Sequence, residues 1–192
     1  MSQPVAPPMM DAVAALRCWA VEAWLPIDGR EVLFRIEPAP AADWLIASLQ
    51  PGHLSYLPGM LDETQRDQIM EALTLGTLST DDLRDANRDV IEQASGWRWF
   101  QAGRLIGTLA HGWATAGGML LATGADPWKH PLGAVLGAFY SILWQNRDKD
   151  GREILVNQLM TPPAPDMPGE WDDEAAEQAV WAMLAAKGHA TP

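Results

Sequence analysis

Apolar positions recur at helical spacing along most of this chain, with one stretch of strand-like alternation near its start. The run DAVAALRCWAVEAW, from Asp11, predicts a helix. It leads into AWLPIDGREVLFRIEP, where Asp28-Gly29 is a hairpin-turn dipeptide because glycine tolerates the positive φ such a turn needs. Beyond the turn, Val32, Phe34 and Ile36 fall on one strand face. The pattern predicts a β-hairpin over 21–36, and Pro26 makes its first strand short or an edge. After a run of prolines, Ala41 to Leu49 predicts a short helix, and QPGHLSYLPGM a loop or single turn.

The next two helices carry clear start and stop signals. In LDETQRDQIMEALTLGTL, Asp62 and Gln65 resemble a capping box, Ile69, Met70 and Leu73 form the apolar stripe, and Gly76 is the stop. In STDDLRDANRDVIEQASG, Ser79 caps a first turn crowded with acids, which the helix dipole favours. Leu83, Val90 and Ile91 give that helix a narrow apolar face, and Gly96 closes it.

WFQAGRLIGTLAHGWATAGGMLLATG follows, and the spacing predicts one helix from about Trp97 to Thr123. Its length matches the roughly 20 apolar residues a bilayer requires. Arg104, His111 and Gln101 argue against a span, since a charge at mid-bilayer costs roughly 2.5–3.5 kcal/mol even on a lenient scale. Trp99, Ile106, Leu109, Trp113 and Leu120 fall near one stripe, as in the buried central helix of a soluble bundle. Gly103 and Gly107 would let another helix approach closely, the natural partner being Pro131 to Asn146 with Gly133 and Gly137. GADPWKHP between them is a loop, and KDGREILVNQLM gives a last short helix ended by Thr161-Pro162-Pro163.

The implied organisation is a flexible leader over 1–10, a helical domain over 11–161, a proline-rich linker over 162–171 and an amphipathic helix over 172–188. The expected fold is mainly α, a compact helical bundle with a small N-terminal β-hairpin and a detached C-terminal helix. MSQPVAPPMM lacks the charged and apolar regions of a secretory signal, which suggests the cytoplasm.

Charge narrows the partners. With 13 Lys and Arg against 25 Asp and Glu, and no basic cluster, neither nucleic acid nor an anionic membrane surface is an expected partner. The lone Cys18 reads as a buried, inert thiol. No phosphate-binding, nucleophile-elbow or metal-ligating spacing occurs, so no enzyme activity, cofactor or metal is expected. Asp81, Asp85 and Asp89 share a helix face with Arg84 and Arg88, which fits a solvated ion-pair face better than a cation site. Asp172-Asp173 is helix-start chemistry. His111 in its apolar run reads as a hydrogen-bonded core residue. The clustered tryptophans read first as core packing, but Trp97, Trp99 and Phe100 cannot all point inward from one helix, which leaves a groove or partner site capped by one of them as the alternative.

The order of these elements carries a resemblance. DGR in the hairpin (Asp28, Gly29, Arg30), PAPAADWL with Ala41, Ala42, Trp44 and Leu45, and AGRLIG with Arg104, Leu105 and Ile106 come in sequence. Trp113, the GADP loop with Asp126 and Pro127, and LGAVLGAFYSIL with Leu136 and Tyr140 complete the set. Over roughly residues 20–163 the chain resembles the tail assembly chaperones of long-tailed phages, above all those of actinobacteria. Phe139-Tyr140-Ser141 departs from the family's more acidic helix surface. The resemblance implies a non-enzymatic protein of the infected host's cytoplasm, absent from the finished virion. Such a protein binds the tape measure protein, keeps it soluble and helps recruit the tail tube protein, alongside a frameshifted longer form of itself. The expected partner contacts are Trp97, Trp99 and Trp128, and in the C-terminal helix Trp171, Val180, Trp181 and Leu184. Two rival readings are a structural tail or connector subunit kept in the virion and a small helical ligand-binding protein using Arg104 and His111.

Overall fold

The computed structural model of this chain describes residues 20–49 and 56–163. The expected leader, the helix from Asp11, Cys18, most of the proline-rich linker and the helix over 172–188 lie outside these residues.

Strands β1 (Val21–Ile27) and β2 (Arg30–Ile36) form an antiparallel hairpin in which Val21 faces Ile36 and Ile27 faces Arg30. Asp28 and Gly29 both have positive φ, 52° and 71°, which matches the twist of a two-residue turn to that of the strands. Alternation sends Val21, Ala23, Leu25 and Ile27 inward, with Phe34 and Ile36 beside them. Pro26 does not shorten β1, which has seven residues like β2. Counting from the turn, Pro26 and its partner Glu31 occupy a non-hydrogen-bonded pair, where a missing N–H costs no ladder bond.

Eight helices follow among the described residues: α1 (Ala41–Ser48), α2 (Tyr56–Met60), α3 (Glu63–Leu75), α4 (Thr80–Ser95), α5 (Trp99–His111), α6 (Trp113–Ala122), α7 (Leu132–Gln145) and α8 (Lys149–Met160). The fold is mainly α with an N-terminal hairpin. The hairpin packs on α4, where the Gln93 side-chain amide donates to the Glu22 carbonyl at 3.0 Å and accepts the Glu22 N–H at 3.2 Å. Buried Asn87 on α4 accepts the Leu57 N–H at 2.7 Å and donates to the Leu83 carbonyl, tying α2 to α4.

Asp62 and Ser79 cap α3 and α4 through the N–H groups of Gln65 and Asp82, and Gly76 and Gly96 end them in the left-handed conformation. The α3 stripe differs from its expected form. Ile69 is buried with Ala72, but Met70 is exposed, because it lies a quarter turn off the buried face.

The predicted single helix over 97–123 is two helices, α5 and α6, bent by 103°. Gly112 makes the corner. A side chain there would bring its Cβ to 2.9 Å from the Thr108 carbonyl oxygen. The Gly112 N–H closes α5 on Thr108, and its carbonyl accepts the Thr115 and Ala116 N–H groups that open α6. No single helix among the described residues is long and apolar enough to cross a membrane. Central packing belongs to α5, which meets α1, α4, α6, α7 and α8. The glycine surface expected on it is absent at Gly107, where a Cβ would meet open space, so none of the described helices lies close there. Helix α7 is the second pillar, burying Leu132, Val135, Leu136 and Phe139.

Candidate functional site

The GADPWKHP loop joins α6 to α7, and one carboxylate organises it. Asp126 accepts the Trp128 N–H at 3.1 Å and pairs with the Lys129 ammonium at 3.0 Å. Its own carbonyl accepts the N–H groups of Lys129 and His130 and contacts His130 Nδ1 at 2.9 Å. The hydrogen bond from Lys129, then that from Trp128, hold the Asp126 carboxyl below the usual carboxylate range, and the charges of Lys129 and His130 add to this.

The loop in turn receives the start of α1. A helix leaves its first N–H groups without partners inside the helix. Here Ala41 donates to the His130 carbonyl and Ala42 to that of Pro127, both at 2.9 Å. Pro40, which has no capping side chain, needs this substitute. The loop is therefore pinned from within and from α1, and it fixes Trp128.

Trp128 is 59% exposed and packs edge-on against Trp113, with ring centroids 5.6 Å apart. The Trp113 ring lies on its own helix over Gly117, so close that a Cβ at Gly117 would sit 2.9 Å from it. Leu121, one turn further along this face, is exposed. Trp113, Gly117, Leu121 and Trp128 thus form an apolar ridge whose large side chain is held before any partner arrives. A tryptophan fixed in this way is suited to anchor a partner, since little side-chain freedom is lost on contact.

The other expected contacts have different fates. Trp97 is 8% exposed and packs on Tyr140 with centroids 5.5 Å apart, so it belongs to the core and not to a partner surface. Trp99 is half-buried, with the Arg88 guanidinium 4.5 Å over its ring and Phe100 edge-on beside it. Trp171, Val180, Trp181 and Leu184 lie outside the described residues. His111 is exposed and bonds the Gly107 carbonyl through Nδ1 at 2.8 Å, so it is not a core residue. The short turn at Gly112 leaves it at the outer end of α5 instead of mid-helix.

Acids on α4 pair locally, Asp81 with Arg84 and Asp85 with Arg88. Burial, with the charges of Glu92 and Asp85 behind it, raises the Asp89 carboxyl pKa. Among the described residues no three His, Cys, Asp or Glu side chains are grouped as metal ligands.

A groove of about 600 Å³ opens between α5, the end of α7 and α8. Leu105, Leu143, Leu155 and Leu159 line it together with Arg104 and Arg147. Arg104 Nη1 donates to the carbonyls of Gln158 and Thr161, closing the C-terminal end of α8. Its guanidinium is thus turned to α8, while His111 bonds within α5.

Sequence reasoning missed Trp24 and Leu33, which face each other across the hairpin on its outer side, Trp24 being 57% exposed. The signal was present in the inward alternation of Val21, Ala23, Leu25 and Ile27, hidden because the helical pattern from Asp11 runs through Trp24. No known protein family, curated protein or solved structure matches the chain.

Proposed function

We propose that this chain is a tail assembly chaperone of a long-tailed phage. It binds the tape measure protein in the host cytoplasm, keeps it soluble and helps recruit the tail tube protein, with a frameshifted longer form as a further partner. It has no catalytic role and leaves before the virion is complete. One observation carries the reading: two separate patterns behind the resemblance, Ala41-Ala42 and Asp126-Pro127, meet through backbone hydrogen bonds and hold Trp128 on the surface. The apolar ridge of Trp113, Leu121 and Trp128 is of the kind that takes one face of a helical client. A surplus of acids, 25 against 13 bases, favours solubility of the complex.

The reading predicts a tape measure gene immediately downstream of this one, and the test is co-expression with its product. The parent chain retains the client in the soluble fraction and Trp128→Ser loses it, while a client that stays soluble without the chain defeats the proposal. Mass spectrometry of purified particles addresses the rival role: a stoichiometric amount of this chain in virions identifies a structural subunit.

A further inference from the structure

We infer that the groove between α5, α7 and α8 is the docking site for this chain's own segment 170–188. The inference is independent of the proposed client.

The first argument is charge. The net charge is -12, yet the groove's ionisable lining is Arg104 and Arg147, with no carboxylate among its lining residues. Both guanidiniums hydrogen-bond to backbone carbonyls, Arg104 to Gln158 and Thr161, Arg147 to Gly151. Neither has an acidic partner among the described residues. Two uncompensated cations over a leucine floor call for an occupant that is acidic on one part and apolar on another.

The second argument is where the chain leaves. Thr161 lines the groove, and the described residues end at Pro163. The sequence continues with APDMPG and then EWDDEAAEQAVWAMLAAKG. Glu170, Asp172, Asp173, Glu174 and Glu177 come first, and Val180, Trp181 and Leu184 recur at helical spacing behind them. Acids for the two arginines and apolar side chains for the leucines are therefore present in one segment. The residues between Pro163 and Glu170 span roughly 20 Å at about 3.1 Å per residue in a proline-rich stretch, enough to turn back over the groove. A tether this short gives an effective concentration on the order of millimolar, so a modest contact suffices to keep the site filled.

Hydrogen exchange of the full-length protein, read by mass spectrometry, tests this. Amides of 174–186 in the parent exchange at least about tenfold more slowly than an unstructured segment, and the slowing is independent of protein concentration. Arg147→Glu abolishes it. The segment variant Asp172→Lys/Asp173→Lys/Glu174→Lys, which leaves the described fold untouched, abolishes it as well. Combining both sets of changes restores it. Three results overturn the inference: exchange at the unprotected rate in the parent, protection that survives the charge reversal on the segment, or protection lost on dilution, which assigns the groove to a second copy.

Discussion

Ala42 donates its backbone N–H to the Pro127 carbonyl at 2.9 Å, so the first turn of α1 is completed by a loop that enters far later in the chain. The same loop carries Trp128, and anything that loosens the loop loosens the ridge. This coupling makes Asp126 a control point for a side chain it does not itself touch through space.

Asp126→Asn tests the electrostatic part of that loop. The folded-state pKa of Asp126 lies below its usual value, chiefly through Lys129 and the Trp128 N–H. Its stabilisation is therefore present above the unfolded pKa, about 3.8, and is lost as pH falls through the lower folded value. The expected result is a lower thermal midpoint at pH 7 for the variant and a smaller difference from the parent toward pH 2, measured by melting across that range.

Trp128 and Trp97 are expected to separate binding from folding. Trp128→Ser changes stability by no more than about 0.5 kcal/mol, because the ring is mostly in water. If Trp128 is a contact hot spot, the same change weakens client binding by about 2 kcal/mol, roughly 30-fold. Trp97→Ala removes a buried ring and costs about 3–5 kcal/mol of stability. Denaturant melts paired with titration of the client read both quantities.

Two neighbouring glycines on α6 give opposite expectations. A methyl at Gly117 meets the Trp113 ring at 2.9 Å and forces it to move, so Gly117→Ala costs about 1–3 kcal/mol and displaces Trp128. A methyl at Gly118 meets nothing, so Gly118→Ala stabilises the helix by about 0.5–1 kcal/mol. Thermal melts, with tryptophan emission reporting the Trp113–Trp128 pair, distinguish the two.

Tyr140→Phe removes a hydroxyl that is buried with no hydrogen-bond partner among the described residues. An unsatisfied group of this kind is a cost in the folded state, so the variant is at least as stable as the parent, by up to about 1 kcal/mol. Burial also raises the Tyr140 pKa above 10.0. Stability linked to it is full below that unfolded value and lost as pH rises through the higher folded value, so the variant resists alkaline unfolding better. Urea midpoints at pH 7 and pH 11 check both statements.

The hairpin was legible because Asp28-Gly29 and the alternation around it are local signals. The ends of α3 and α4 were legible because Asp62, Gly76, Ser79 and Gly96 act on backbone groups beside them. The break at Gly112 was hidden: both halves keep helical spacing, and in a stretch already rich in glycine one more is no stop signal. What the corner requires is the missing side chain at Gly112, where a Cβ would sit 2.9 Å from the Thr108 carbonyl oxygen, and that approach exists only once the bend has formed. The site divides in the same way. Trp128 was named from its loop, but its fixed position depends on Trp113, on Gly117 beneath that ring and on α1, contacts that no local spacing reveals. For Trp97 the local spacing leaves core and partner surface both open, because an aromatic at a helix start reads alike whether it faces Tyr140 or solvent; the structure buries it on Tyr140.

The side-chain amide of Gln93 presents one donor and one acceptor to Glu22, the same pair a neighbouring strand would offer. It acts as a plug on the open edge of β1. A two-stranded sheet is a template for further strands, and intermolecular sheet growth is a common route to aggregation. With this edge occupied at Glu22, growth there is blocked at the cost of a single side chain. What the hairpin still offers a neighbour along β1 is its outward face at Trp24, beyond the position that Gln93 fills.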